Sequence, residues 1–295
     1  MLKLRTELAV DPASKKIKRD SSILLIGSCF SDHIYERLNR YKFKVANKPN
    51  GTIYNPVSIA DSLHRLVDKR MVSETDVFEH NGIWQSFDFH SDFSSLNRDL
   101  AIEKINQSIN FHSDFLRIAD HVFLTFGSSF IYRHKKTDTI VANCHQVAAK
   151  EFNHSILSFA ETNKAIEKSI QLIRSANPDC LISVTVSPVR YLGNGFAANQ
   201  LSKSQLITAC NQVISNQKLT HYFPAYELVM DDLRDYRFYG DDLVHPNQLA
   251  IHYVWQKFCE AYMETDELKL LDKIDQVQRA INHRPRHPDS QAYNK

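Results

Sequence analysis

Only seven glycines occur in 295 residues, and no glycine-rich loop of the kind that cradles phosphate is among them, which argues against nucleotide binding. Cysteine is sparse as well. Cys29, Cys144, Cys180, Cys210 and Cys259 are odd in number and include no CxxC pair. The first twenty residues hold lysine and arginine but no apolar h-region. Together these features predict free thiols, a reducing compartment and a cytoplasmic location. Histidines and carboxylates nowhere take a metal-ligand spacing, so no metal and no other cofactor is expected. The net charge is only +2, which gives no general attraction to nucleic acid or to an acidic membrane surface. Apolar runs are far too short to span a bilayer. No internal repeat or low-complexity tract is present. Nothing in these features fixes an oligomeric state.

What remains is a chain 43% hydrophobic and 24% charged, enough for one large core or two modest ones. Residues 22–26 are apolar and β-prone, as a strand buried on both faces should be. Gly27 permits a sharp turn that carries Ser28 and Cys29. Ser31 is predicted to cap a helix over 31–40, with Asp32 in its first turn. A second strand is predicted over 42–47. After a loop, Asn55 and Pro56 form a good cap and first-turn pair for a helix bearing Ile59, Leu63, Leu66 and Val67. Residues 71–96 read as an irregular insertion over one end of the sheet. Its aromatic residues Trp84, Phe87, Phe89 and Phe93 fit a satellite core better than a binding wall.

Further on, helices are predicted over 97–119, 155–176 and 199–217. Buried strands are predicted over 121–126 and 181–186, with a hairpin over 131–142 turning at 135–138. A last strand is expected within 222–229, a helix opening at Pro246, and a loosely held polar tail over 271–295. Strands alternate with helices almost throughout. The pattern predicts a three-layer α/β/α fold with a central parallel sheet, one domain over 1–270 rather than two. In such folds ligands bind beyond the carboxyl ends of the strands. Gly27-Ser28-Cys29, Gly127-Ser128-Ser129 and Ser187-Pro188 all fall there.

Chemistry concentrates at two places. A thiol at a strand–turn–helix junction meets unpaired backbone N–H groups and the positive end of a helix. Cys29 is therefore a candidate nucleophile, with its pKa expected to be lowered there, although free cysteine is equally familiar as a small buried hydrophobe. Asp242 precedes His245 by three residues, a spacing that lets the carboxylate reach one imidazole nitrogen and fix its tautomer. Pro246 in the first helical turn would make His245 the cap residue. The plain alternative is a turn that merely starts a helix.

Gly27-Ser28-Cys29-Phe30 near one end and Asp242-x-x-His245-Pro246 near the other resemble the GSCFA family, part of the wider SGNH (GDSL-like) hydrolase superfamily. Further matches are Asn55-Pro-Val-Ser-Ile59, Asn143-Cys-His145, Ser187-Pro-Val189, Phe223-Pro-Ala-Tyr-Glu227 and Leu233-Arg-Asp-Tyr-Arg-Phe-Tyr239. The resemblance covers roughly residues 20–265. It implies an SGNH-hydrolase-like, flavodoxin-like sheet and an ester hydrolase or O-acyltransferase that works through a covalent acyl-enzyme, with a small-molecule or carbohydrate ester as substrate.

The superfamily's Gly-Asp-Ser block lies on Gly27-Ser28-Cys29, so Cys29 takes the nucleophile's place and Ser28 is the alternative nucleophile. Gly51 matches the second block's glycine, whose N–H donates to the oxyanion. Gly127 matches the glycine of the third block. Ser129 stands where that block has its oxyanion-donating Asn, and Asn143 is the other candidate for that amide. Asp242 and His245 match the fourth block in full. His145 is a further candidate for substrate contact, or an ordinary surface histidine. The two departures, Ser28 for Asp and Ser129 for Asn, fit a rival reading: a non-catalytic sugar- or acyl-binding protein on a degenerate SGNH fold.

Overall fold

Residues 22–27 form strand β1 (Ser22–Gly27), buried along its whole length. The computed structural model describes residues 6–215 and 217–282. Four further strands pair in parallel around β1: β2 (Lys44–Asn47), β3 (His121–Phe126), β4 (Leu181–Val186) and β5 (Thr220–Tyr222). Their order across the sheet is β2-β1-β3-β4-β5. That order is flavodoxin-like, and its topological switch point lies between β1 and β3.

Successive residues of a strand point to opposite faces, so one run of apolar residues supplies two cores. Leu24 and Ile26 pack with α2 (Pro56–Val67), α4 (Phe159–Ala176) and α5 (Gly195–Ile214). Ile23 and Leu25 pack on the other side with α1 (Phe30–Arg40) and α6 (Gln248–Tyr262), through Phe30, Ile34, Trp255 and Phe258. Each fully buried aliphatic side chain contributes about 1.5–3 kcal/mol relative to exposure. Helices thus cover both faces, and the three-layer α/β/α architecture expected from the alternation is the one observed. Among the described residues, no helix is long and apolar enough to cross a membrane.

Local signals explain most element ends. Asn55 caps α2 by accepting from the Ser58 N–H, with Pro56 in the first turn. Ser158 and Glu161 form a reciprocal capping box on α4, an arrangement whose cap contributes about 1 kcal/mol. α3 (Arg98–Ile118) carries Ile105 and Ile109 against Phe89, Trp84 and Phe93, the satellite core expected of the insertion.

Several local expectations are corrected. α1 starts at Phe30 with Cys29 itself in the capping position, because Ser31 Oγ donates back to the Ser28 carbonyl instead of capping. α6 starts at Gln248 and is capped by Asn247, not His245, since Asn247 Oδ1 accepts from the Leu249 and Ala250 N–H groups. Beyond the short β5 the chain turns helical over 225–233, where a strand was expected. The predicted hairpin forms from Phe130–His134 and Thr139–Val141, and a third antiparallel strand, Phe152–Ile156, joins it. Residues 271–282, assigned to a loose tail, lie on α7 (Thr265–Asn282). Leu271 is buried there, and Asp275 pairs with Arg40 and accepts from the Tyr41 hydroxyl. Residues 283–295 lie outside the described residues.

Candidate active site

The turn after β1 is held tightly. Gly27 has φ 132°, and a Cβ there would overlap the Thr125 carbonyl oxygen of β3, its register partner. Only glycine lets the two strands approach this closely where the chain bends. The Ser28 N–H donates to the same Thr125 carbonyl at 3.0 Å. Ser28 is 1% exposed, and its hydroxyl accepts from the Phe30 N–H. Cys29 follows at the N-cap of α1, partly exposed, with its thiol on a cavity. Of the two candidate nucleophiles, the serine hydroxyl is engaged within the turn and the cysteine is the more accessible.

The expected fall in the Cys29 pKa is not found. Burial pushes the thiol up, the Asp32 carboxylate pushes it further, and Lys48 and Lys203 oppose them. The helix end is outweighed because the turn is mostly enclosed by protein. The thiol is therefore protonated near neutral pH, and attack would need a base.

His245 lines the same cavity. Its Nδ1 is 2.6 Å from Asp242 Oδ2. The other carboxylate oxygen accepts from the N–H groups of Val244 and His245, at 2.9 and 3.0 Å. The His245 backbone N–H is the main reason the Asp242 carboxyl is held down at about 2, with the imidazole bond next. Asp242 is thus a carboxylate at any functional pH, and the imidazole is bound through Nδ1 with Nε2 left for other partners. Both side chains are about half exposed, at 50% and 52%. Cys29 and His245, more than two hundred residues apart, share one cavity, and no hydrogen bond joins them.

The cavity has a volume of about 700 Å³ and lies at the carboxyl ends of β1, β3 and β4, at the sheet's switch point. Gly127, Asn143 and Ser28 also line it. The Asn143 side-chain oxygen accepts from the His145 N–H, and among the described residues no acceptor takes its amide protons.

Three expected site residues lie elsewhere. Gly51 is not on the cavity. Its N–H donates to the Lys48 carbonyl, and a Cβ there would overlap the Cβ of His90, so this glycine serves the contact with the insertion. Ser129 is fully buried and bonded to α5, its hydroxyl reaching the Ser202 and Gln205 side chains. His145 is buried beneath the loop, with Nε2 on the Ser86 carbonyl at 2.7 Å, and burial pushes its pKa down. Its backbone N–H holds the Asn143 side chain, and His145 is not among the residues that line the cavity.

The sequence reading missed three neighbours. Lys203 on α5 is wholly buried under the turn and donates to the Gly127 and Ser187 carbonyls at 2.6 and 2.7 Å. It thereby ties the ends of β3 and β4 together. Its position in register with Leu206, Cys210 and Val213 on one stripe of α5 was the available signal. Tyr54 lines the cavity, its hydroxyl pushed up to about 12 by burial and by the nearby Cys29. Arg190 stacks on Tyr239 and Tyr236, at 4.2 and 5.0 Å from the ring centres, and its N–H donates to the Val244 carbonyl. Those contacts hold the loop that presents His245. Among the described residues, no cluster of three His, Cys, Asp or Glu side chains is placed to hold a metal ion.

A three-layer α/β/α fold carries a thiol at the turn after its first strand and a carboxylate-bound histidine on the same cavity. The chain belongs to the GSCFA family, whose model matches residues 22–258. Solved structures with a similar trace include a carbohydrate esterase family 3 protein from Talaromyces cellulolyticus, at 11% identity and TM-score 0.39, covering 87% of this chain and 99% of that one. An acetyl xylan esterase from the rumen bacterium Butyrivibrio proteoclasticus matches at 9% identity and TM-score 0.43, covering 90% of this chain and 65% of that one. A family 3 carbohydrate esterase from Clostridium thermocellum matches at 9% identity and TM-score 0.40, covering 88% and 98%. No curated protein sequence matches the chain.

Proposed function

We propose that the protein is an acyl-transfer enzyme of the SGNH type, moving the acyl group of an ester, such as one on carbohydrate, to water or to an acceptor hydroxyl. The observation that carries this reading is the shared cavity: a partly exposed thiol at a helix N-cap, and a histidine whose Nδ1 is held by a carboxylate at 2.6 Å. A nucleophile, a base and a group that orients the base are the three parts such chemistry requires.

In the first half-reaction the Cys29 sulfur attacks the ester carbonyl carbon as its proton passes to His245 Nε2. The carbon–sulfur bond forms and the carbonyl electron pair moves onto oxygen. The Cys29 N–H and the Asn143 amide are the donors suited to hold that oxyanion. Collapse breaks the carbon–oxygen bond, and the leaving alkoxide takes the proton from His245. In the second half, water or an acceptor hydroxyl gives its proton to His245 and attacks the thioester. The carbon–sulfur bond then breaks, and the thiolate recovers the proton. Asp242 stays ionised throughout. The raised thiol pKa fits proton transfer during attack better than a standing thiolate–imidazolium pair.

The absence of a Cys29–His245 hydrogen bond favours the rival reading, a protein that binds an acyl or sugar ligand without turning it over. The two readings separate on turnover of activated esters. Enzymatic acyl transfer requires Cys29→Ala to abolish it and Ser28→Ala to retain most of it. No turnover across a broad ester panel would leave binding alone.

A further inference from the structure

The walls of the cavity differ sharply from its lip. The lip holds His245, half exposed and bound to Asp242. One wall is the three-stranded antiparallel sheet, which presents Phe130, Tyr132, Val141 and Phe152 to the cavity. Val141 and Phe152 are only 3% and 6% exposed. Val189 and Leu192 of the loop after β4 line the same cavity. Tyr132 has its hydroxyl on that of Tyr191 at 3.2 Å, and its ring stacks on His154 at 4.3 Å, so this wall is braced.

We infer that this wall is a binding site for an apolar acyl group of about six or more carbon atoms, attached to an alcohol that leaves past His245. The inference rests on the proposed acyl-transfer reading and adds the substrate's acyl class to it. Three properties of the cavity support it. The first is size. At about 30 Å³ for a water-sized group, the cavity holds on the order of twenty such groups, and an acetyl group has three heavy atoms. The second is polarity. Val141, Phe152, Val189 and Leu192 offer no side-chain hydrogen bond, so a sugar ring seated there would bury unpaired hydroxyl groups. The third is direction. His245 must reach the leaving oxygen to protonate it, so the alcohol belongs at the half-exposed lip and the acyl group at the enclosed wall.

The test uses the whole protein and two readouts. Binding of sodium octanoate, benzoate, acetate and cellobiose is measured by calorimetry, which needs no turnover. The inference requires octanoate or benzoate to bind at least about tenfold more tightly than acetate, with cellobiose weaker still. The octanoate–benzoate pair tells an aliphatic from an aromatic acyl group. Val141→Phe, which fills the enclosed end, should cost octanoate at least about tenfold in affinity. Leu192→Trp, on the loop after β4, is the second variant where Val141→Phe melts early. The second readout is kcat/KM on p-nitrophenyl esters from acetate to octanoate, expected to rise about fourfold per added methylene until the cavity is filled. Acetate or cellobiose binding as tightly as octanoate, or octanoate binding untouched by both variants, overturns the inference. Octanoate binding without turnover of any ester would overturn the acyl-transfer reading alone.

Discussion

A single methyl group added at Gly27 tests the turn that presents Cys29. Two separate costs follow from the geometry. An L-residue at φ 132° is strained, at about 1–3 kcal/mol. The added Cβ also overlaps the Thr125 carbonyl oxygen and stands 2.9 Å from its carbon, against strand backbone that has no room to give. Overpacking of this kind costs about 1–3 kcal/mol more. Gly27→Ala should therefore destabilise by about 2–6 kcal/mol in urea unfolding, with the m-value unchanged. Gly82→Ala is the control. Gly82 also has positive φ, at 77°, but nothing lies within 4 Å of its added Cβ, so only the backbone cost of about 1–2 kcal/mol applies. Equal losses for the two variants, or a Gly27→Ala loss below about 1 kcal/mol, would refute the close β1–β3 approach.

Two other perturbations address charge. Burial pushes the Lys203 ammonium down to about 7, whereas an unfolded lysine holds its proton to about 10.4. Folding thus releases a proton between those values, and stability should rise with pH across that window, by up to about 1.4 kcal/mol per pH unit. Lys203→Met should remove that rise and leave the Gly127 and Ser187 carbonyls without their donor, and pH–stability curves parallel to wild type would contradict it. Asp242→Asn should lower ester turnover by on the order of a hundredfold or more at unchanged fold, while Asp241→Asn stays within about twofold. Steady-state kinetics on the two variants decides, and a crippled Asp241→Asn would mean the wrong carboxylate was assigned.

Residues whose roles are local were legible in the sequence. Residues 22–26 announced a buried strand because both of its faces are apolar, and Asn55-Pro56 announced a helix start by its own chemistry. Asp242 and His245 lie three residues apart, so their bond depends only on a turn. Roles that depend on distant partners were not legible. The N–H of Gly51 is taken by Lys48, and the hydroxyl of Ser129 by α5, so neither faces the cavity, although both occupy the expected sequence positions. Lys203 shares a stripe with Leu206, Cys210 and Val213, but a lysine on a predicted amphipathic helix reads as solvent-facing. Only the arrival of two carbonyl groups from different strands makes its burial possible. The strand Phe152–Ile156 has exposed polar residues at 153–155 and gains its identity from its partner, Phe130–His134. The Cys29 thiol was expected to be acidified by the helix end, and enclosure by the fold reversed the sign.

In the proposed reaction every acyl group passes through Cys29. Mass spectrometry of the protein quenched in acid during turnover of an activated ester, followed by peptide mapping, tests it most directly. One acyl adduct is expected on Cys29, labile to hydroxylamine as a thioester is, present in Ser28→Ala and absent in Cys29→Ala. An adduct on Ser28, or turnover that persists in Cys29→Ala, would contradict it.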